Sequence, residues 1–116
     1  MATGTIKNDI VLLWTNPNPT ASFAEQDVNL DLSDYRFVEI TALYVPVTRV
    51  EVGGDASVLQ WFVGSASTTM GTIANARRVT AYSNRVHFMD NQQVYTGSAN
   101  TVVNTNTIPL KIYGIK

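Results

Sequence analysis

LLWTNPNPTASFAEQDVNLDLSDY, residues 12–35, decides the fold class. An apolar run, Leu12-Leu13-Trp14, enters a turn that holds Pro17 and Pro19. Proline has no backbone donor and pushes its predecessor towards extended geometry, so the chain must leave a sheet there. After a polar connection the pattern alternates strictly. Val28, Leu30 and Leu32 fall on one side, and Asp27, Asn29 and Asp31 on the other. A period of two marks a strand with one buried face and one wet face.

The same punctuation extends outward. Residues 9–15 read as a first strand and 26–32 as a second, closed by a turn at Ser33-Asp34. Residues 36–45 are rich in β-formers, with Val38, Ile40, Ala42 and Tyr44 in the inward phase. Pro46 interrupts them as a predicted bulge or corner, and residues 47–52 continue through Val50 and Val52. Gly53-Gly54-Asp55 is a tight turn. Residues 58–64 are apolar on both faces, with Leu59, Trp61 and Val63 against Val58 and Phe62. Such a strand is either central in a sandwich or covered by another subunit. Residues 65–75 are small and polar and read as a loop carrying one short strand at most.

Residues 77–82 and 85–89 make a hairpin about Ser83-Asn84, with Val79 and Ala81 matched to Val86 and Phe88. Residues 91–95 are one more strand and 96–107 a loop. In the last strand Ile108, Leu110 and Ile112 alternate against Pro109, Lys111 and Tyr113. No window shows helical apolar spacing, and there is no internal repeat. The reading is an all-β fold, an antiparallel β-sandwich or jelly-roll-like domain of about eight or nine strands. It spans residues 9–116 behind a short polar N-terminal arm, residues 1–8.

Composition narrows the function classes. The 116 residues suit one domain, large enough to build a core unaided. The absence of cysteine excludes disulfides and thiolate metal sites. The net charge is -1 and the basic residues are scattered, so no stripe for nucleic acid is present. No apolar run approaches the ~20 residues that cross a bilayer. The opening residues lack a basic segment followed by an apolar core, so no signal peptide is expected, and synthesis in a cytoplasm is. Charged residues are only 15% while Thr, Ser and Asn are abundant, which suits exposed strands and faces that meet other protein copies.

Chemistry is sparse. His87, the only histidine, shares the outward phase with Arg85 and Met89. Catalysis would need a positioned partner such as Asp90 together with a serine, and an ordinary hairpin histidine is the plainer reading. Asp27, Asp31 and Asp34 offer oxygen ligands for calcium, but Asp27 and Asp31 lie about 13 Å apart on an extended strand. A solvated strand edge accounts for them better. No glycine pattern cradles a phosphate. No cofactor is expected. The aromatics Trp14, Trp61, Tyr82, Tyr95 and Tyr113 suit stacking on a sugar ring, core packing or a protein interface. Of these Trp61, Tyr82, Tyr95 and Tyr113 are the candidate glycan or interface contacts.

The run Leu12-Leu13-Trp14-Thr15-Asn16-Pro17-Asn18-Pro19-Thr20, then Phe23-Ala24-Glu25-Gln26 and Leu30-Asp31-Leu32-Ser33-Asp34-Tyr35, resembles small structural proteins of tailed bacteriophages and prophages of Gram-positive gut bacteria. The close Ile108-Pro109-Leu110-Lys111-Ile112-Tyr113-Gly114-Ile115-Lys116 resembles the same group. Residues 36–107 take no part in the resemblance. It implies a β-rich, non-enzymatic virion component of the tail, a fibre or a decoration, made in the bacterial cytoplasm and resident in the particle. It also implies a homo-oligomer, a trimer being favoured, with other virion proteins as partners. The alternative is a carbohydrate- or host-receptor-binding module at the tail tip, with a cell-surface glycan as its ligand.

Overall fold

The computed structural model of the chain describes residues 10–67, 71–95 and 101–116, and for 61–67, 71–72 and 95 the backbone alone. The N-terminal arm assigned to residues 1–8 lies outside the described residues. So do the side chains of Trp61, Phe62, Val63 and Tyr95. Among the described residues there is no helix. Within the described residues ten strands form two antiparallel sheets packed as a sandwich: β1 (Ile10–Thr15), β2 (Gln26–Asn29), β3 (Phe37–Ala42), β4 (Val45–Glu51), β5 (Ser57–Ser67), β6 (Gly71–Ala81), β7 (Arg85–Phe88), β8 (Gln92–Tyr95), β9 (Thr101–Val102) and β10 (Pro109–Ile115).

The first sheet has the order β1-β10-β3-β4, so the two ends of the chain pair with each other. The second is organised around β6. One edge of β6 pairs with β5 along its length. The other edge pairs with β7 through Val79, Thr80 and Ala81, then with β8 through residues 73–76. Strands β2 and β9 continue outward from β7 and β8.

Alternation in the sequence explains the core. Val38, Ile40, Ala42, Val50 and Ile112 come from the first sheet, and Val28, Leu59, Val79, Ala81, Val86 and Phe88 from the second. Phe23, Leu32 and Ile108 enter from connections. The hairpin about Ser83-Asn84 forms as read, with Val79 opposite Phe88 and Ala81 opposite Val86. The Gly53 turn also forms: Gly53 has φ +79°, and Gly54 N–H donates to the Glu51 carbonyl at 3.2 Å. Only glycine enters that backbone region without strain.

Several expectations change. Residues 65–67 end β5 and residues 71–75 begin β6, with Ser67 opposite Gly71, so these parts of the expected loop are paired strand, while residues 68–70 lie outside the described residues. Backbone pairing between β5 and β6 holds them extended although the sequence there offers little apolar area. Of the two alternatives for Pro46 the bulge forms and the corner does not: between the pairs Ile40–Thr48 and Ala42–Val45 the register shifts, setting Pro46 and Val47 against Thr41. The chain reverses at Leu43-Tyr44, where Tyr44 has φ 61°, and Ala42 pairs with Val45. Tyr44 is therefore an exposed turn residue rather than an inward one. Pro46 sits in β4, an edge strand, where a missing donor costs little. Pairing of β2 ends at Asn29, although Leu32 still reaches the core. The alternation of the last strand breaks at a bulge between Pro109 and Lys111, which buries Pro109 and leaves Leu110 half-buried.

Beyond Val79 the inner face of β6 turns polar. Arg77 and Asn75 are fully buried there, beneath residues 103–108 rather than beneath the first sheet. The Arg77 guanidinium donates to the carbonyls of Phe23 (2.8 Å), Met89 (2.7 Å), Asn106 (3.0 Å) and Thr107 (3.2 Å). It also lies 5.4 Å from the centre of the Phe23 ring. Burial pulls its pKa down to about 10, with Asp90 acting in the opposite sense, so it stays charged at neutral pH. One cation thus joins three connections, those that hold Phe23, Met89 and residues 106–107.

Candidate functional site

Pairing of β2 with β7 sets Asp27 opposite His87. The His87 ring then lies between two carboxylates, with Nδ1 at 2.6 Å from Asp27 Oδ1 and Nε2 at 3.1 Å from Glu25 Oε2. Its pKa is raised, chiefly by the Asp27 hydrogen bond; burial opposes this, and the Glu25 hydrogen bond and the charges of both carboxylates add to the rise. When protonated, the ring donates from both nitrogens, one to each carboxylate. A general base needs a free ring lone pair aimed at a hydroxyl. Asp90, the partner suggested by sequence proximity, is engaged elsewhere. It accepts from Glu25 N–H at 2.9 Å and from Asn104 Nδ2 at 2.8 Å, bonds that hold its pKa low. Arg85 continues the strip, 3.6 Å from Asp27 and 4.0 Å above the Tyr82 ring.

The three aspartates considered for calcium do not converge. Asp27 serves His87, while Asp31 accepts from the Ser33 hydroxyl at 2.7 Å and the Ser33 N–H at 3.1 Å, which lowers its pKa. Among the described residues no group of histidine and acidic side chains is arranged to hold a metal ion.

Of the four aromatic candidates, the two whose side chains are described lie at different sheets. Tyr82 lies under Arg85 beside the second sheet, and Tyr113 lies on the outer face of the first. Trp61 and Tyr95 are placed by their backbones alone, opposite Asn75 and Ile73 of β6.

That outer face of the first sheet carries an exposed apolar patch. Register puts Ile10 beside Ile115 and Phe37, and Leu12 beside Tyr113 and Glu39. Ile10 is 49% exposed and Leu12 50%, both on β1, which is an edge strand. Tyr113 and Ile115 are half-buried. Arg49 and Arg36 cover Phe37 from 5.5 and 5.8 Å, and Arg49 pairs with Glu39 at 2.9 Å, so charge bounds the patch on its β4 side. Val58, on β5, is 42% exposed, which leaves part of one apolar face of that strand uncovered in the protomer.

The two terminal motifs meet in space. Asn16 Nδ2 donates to the Pro109 carbonyl at 2.8 Å, and Asn16 N–H to the Leu110 carbonyl at 2.8 Å. Gly114 lies against Tyr35 and Leu13 so closely that an added Cβ would sit 2.6 Å from the Tyr35 ring. The signature at the two ends is therefore one structural joint.

Beside this joint a cleft of about 380 Å³ opens between residues 16–22 and β2. Trp14, Phe23 and Val28 supply its apolar lining; Asn16, Asn18, Gln26, Asp27 and Asn29 supply polar groups. The sequence names Trp14 as an aromatic of interest, but its meeting with Asn29 depends on how two sheets pack. No family model matches the chain, and no curated protein or solved structure matches it.

Proposed function

We propose that this chain is a non-enzymatic structural subunit of a bacteriophage virion, in the tail, a fibre or a decoration, that assembles with copies of itself. The resemblance of the terminal motifs supplies the virion context. The observation that carries the assembly is the apolar outer face of the first sheet, open at Ile10 and Leu12 on an edge strand. Apolar area beside an unpaired strand edge favours association. A second copy is the occupant that fits, since the face carries both signs of charge at its border, Arg49 and Glu39, and the net charge of -1 leaves little repulsion between copies. A closed ring, a trimer in the favoured case, would cover every such face.

Light scattering on the eluted protein and sedimentation tests this. The expected result is a stable oligomer, reduced to monomer by Leu12→Glu with its circular dichroism unchanged. A strict monomer at high concentration refutes it.

The cleft beside Trp14 favours a second reading, a glycan- or receptor-binding module at a tail tip. The two are compatible in one subunit.

A further inference from the structure

We propose that the cleft between the double-proline segment and β2 is a binding site for a neutral saccharide. The inference rests on the second reading above and names its site and ligand class.

Three properties of the cleft select this ligand. The first is its lining. Trp14 packs edge-on to Phe23 at 6.3 Å, and Phe23 edge-on to Phe88 at 5.3 Å, so the aromatic floor is held by the core. An apolar floor beneath polar walls matches a pyranose, with its C–H face below and its hydroxyls around the rim.

The second is charge. Among the described residues no lysine or arginine lines the cleft. Phosphate, nucleotide and sialic or uronic acid ligands would meet the Asp27 carboxylate with no cation among the described lining residues. The walls offer amides, which donate and accept at once, as hydroxyls require. Asn18 and Asn29 are exposed, and their side-chain amides make no hydrogen bond to another described residue. Gln26 spends its Nε2 on the Ala24 carbonyl at 3.0 Å, which leaves its Oε1 as an acceptor. Asp27 gives one oxygen to His87 and keeps the other.

The third is rigidity. Asn16 is locked at both ends, donating to the Pro109 carbonyl and accepting Asn18 N–H at 2.8 Å. Pro17 and Pro19 fix their own φ angles. Ala21 N–H closes a turn on the Asn18 carbonyl at 3.1 Å, and Phe23 N–H donates to the Asn104 carbonyl at 2.9 Å. A wall already ordered loses little freedom when a ligand arrives. The volume of about 380 Å³ equals roughly a dozen waters at ~30 Å³ each, more than enough for one sugar ring. An extended peptide suits the site less, because β2 offers a free edge only four residues long.

The test uses the full chain on an array of neutral and acidic glycans, followed by titration of the neutral hits. Binding of neutral glycans is expected. Asn18→Ala and Asn29→Ala, both at exposed positions, should each weaken it about fivefold, the loss of one neutral hydrogen bond. Trp14→Ala should abolish it. Tyr82→Ala and Tyr113→Ala should leave it unchanged. Capture of acidic glycans alone, or of extended peptides and no glycan, overturns the proposal. Neutral-glycan binding that responds to Tyr82 or Tyr113 but not to Asn18 and Asn29 sinks this site while the glycan reading stands. An array with no hits removes both.

Discussion

Arg77→Met removes the guanidinium and keeps an apolar stem of similar length in its place. Four carbonyls, of Phe23, Met89, Asn106 and Thr107, then lose their donor together. A buried acceptor left unmade costs ~1–3 kcal/mol. The bonds to Met89 and Asn106 are part-buried, so water can replace them in part and the low end applies there. The four sum to about 5 kcal/mol. Removing a buried charge offsets some of this, leaving a net loss of about 3–4 kcal/mol. That is a large share of the ~5–15 kcal/mol that stabilises an ordinary domain. Urea unfolding followed by tryptophan fluorescence should show a much lower midpoint at unchanged slope. Arg77→Lys should recover little, because one ammonium replaces a planar fork that reaches four carbonyls. A loss below about 1 kcal/mol for Arg77→Met would refute the idea that this cation joins the three connections.

The Gly114→Ala methyl would enter space held by Tyr35 and Leu13, with the Leu13 Cδ1 atom only 2.8 Å away. Overpacking of this kind should cost about 1–3 kcal/mol, and Leu13→Ala in the same chain should restore part of it, measured as coupling in a double-mutant cycle. His87 has a raised folded-state pKa, so its stabilisation is complete below the unfolded value of ~6.5 and fades as pH rises through the folded value. The stability difference between the wild type and His87→Gln should therefore be wider near pH 6 than near pH 9; an equal difference at both would show that the carboxylate clamp contributes nothing.

Local periodicity made much of this molecule legible. Val79, Ala81, Val86 and Phe88 meet as their phase and the two-residue turn require, because a hairpin is closed by neighbours in the chain. Where local signals conflicted, they misled. Pro46 drew attention as the break, yet the reversal comes just before it, at a tyrosine whose left-handed φ no propensity announces. Residues 65–67 and 71–75 are poor in large apolar side chains and still extend, because backbone pairing between β5 and β6 holds them. The His87 site shows the same division. Its exposure followed from strand phase, but Glu25 and Asp27 are about sixty residues away in sequence.

The sequence by itself determined that this chain forms β-strands, where most of them turn, and which side chains face inward. Those properties depend on pleat, proline and glycine geometry within a few residues. The tertiary structure alone decided that the two ends pair, that Arg77 joins three connections, and that Trp14 and Asn29 face one cleft. Each of these needs strands distant in sequence to dock, and only packing of the whole core selects which distant strands do so.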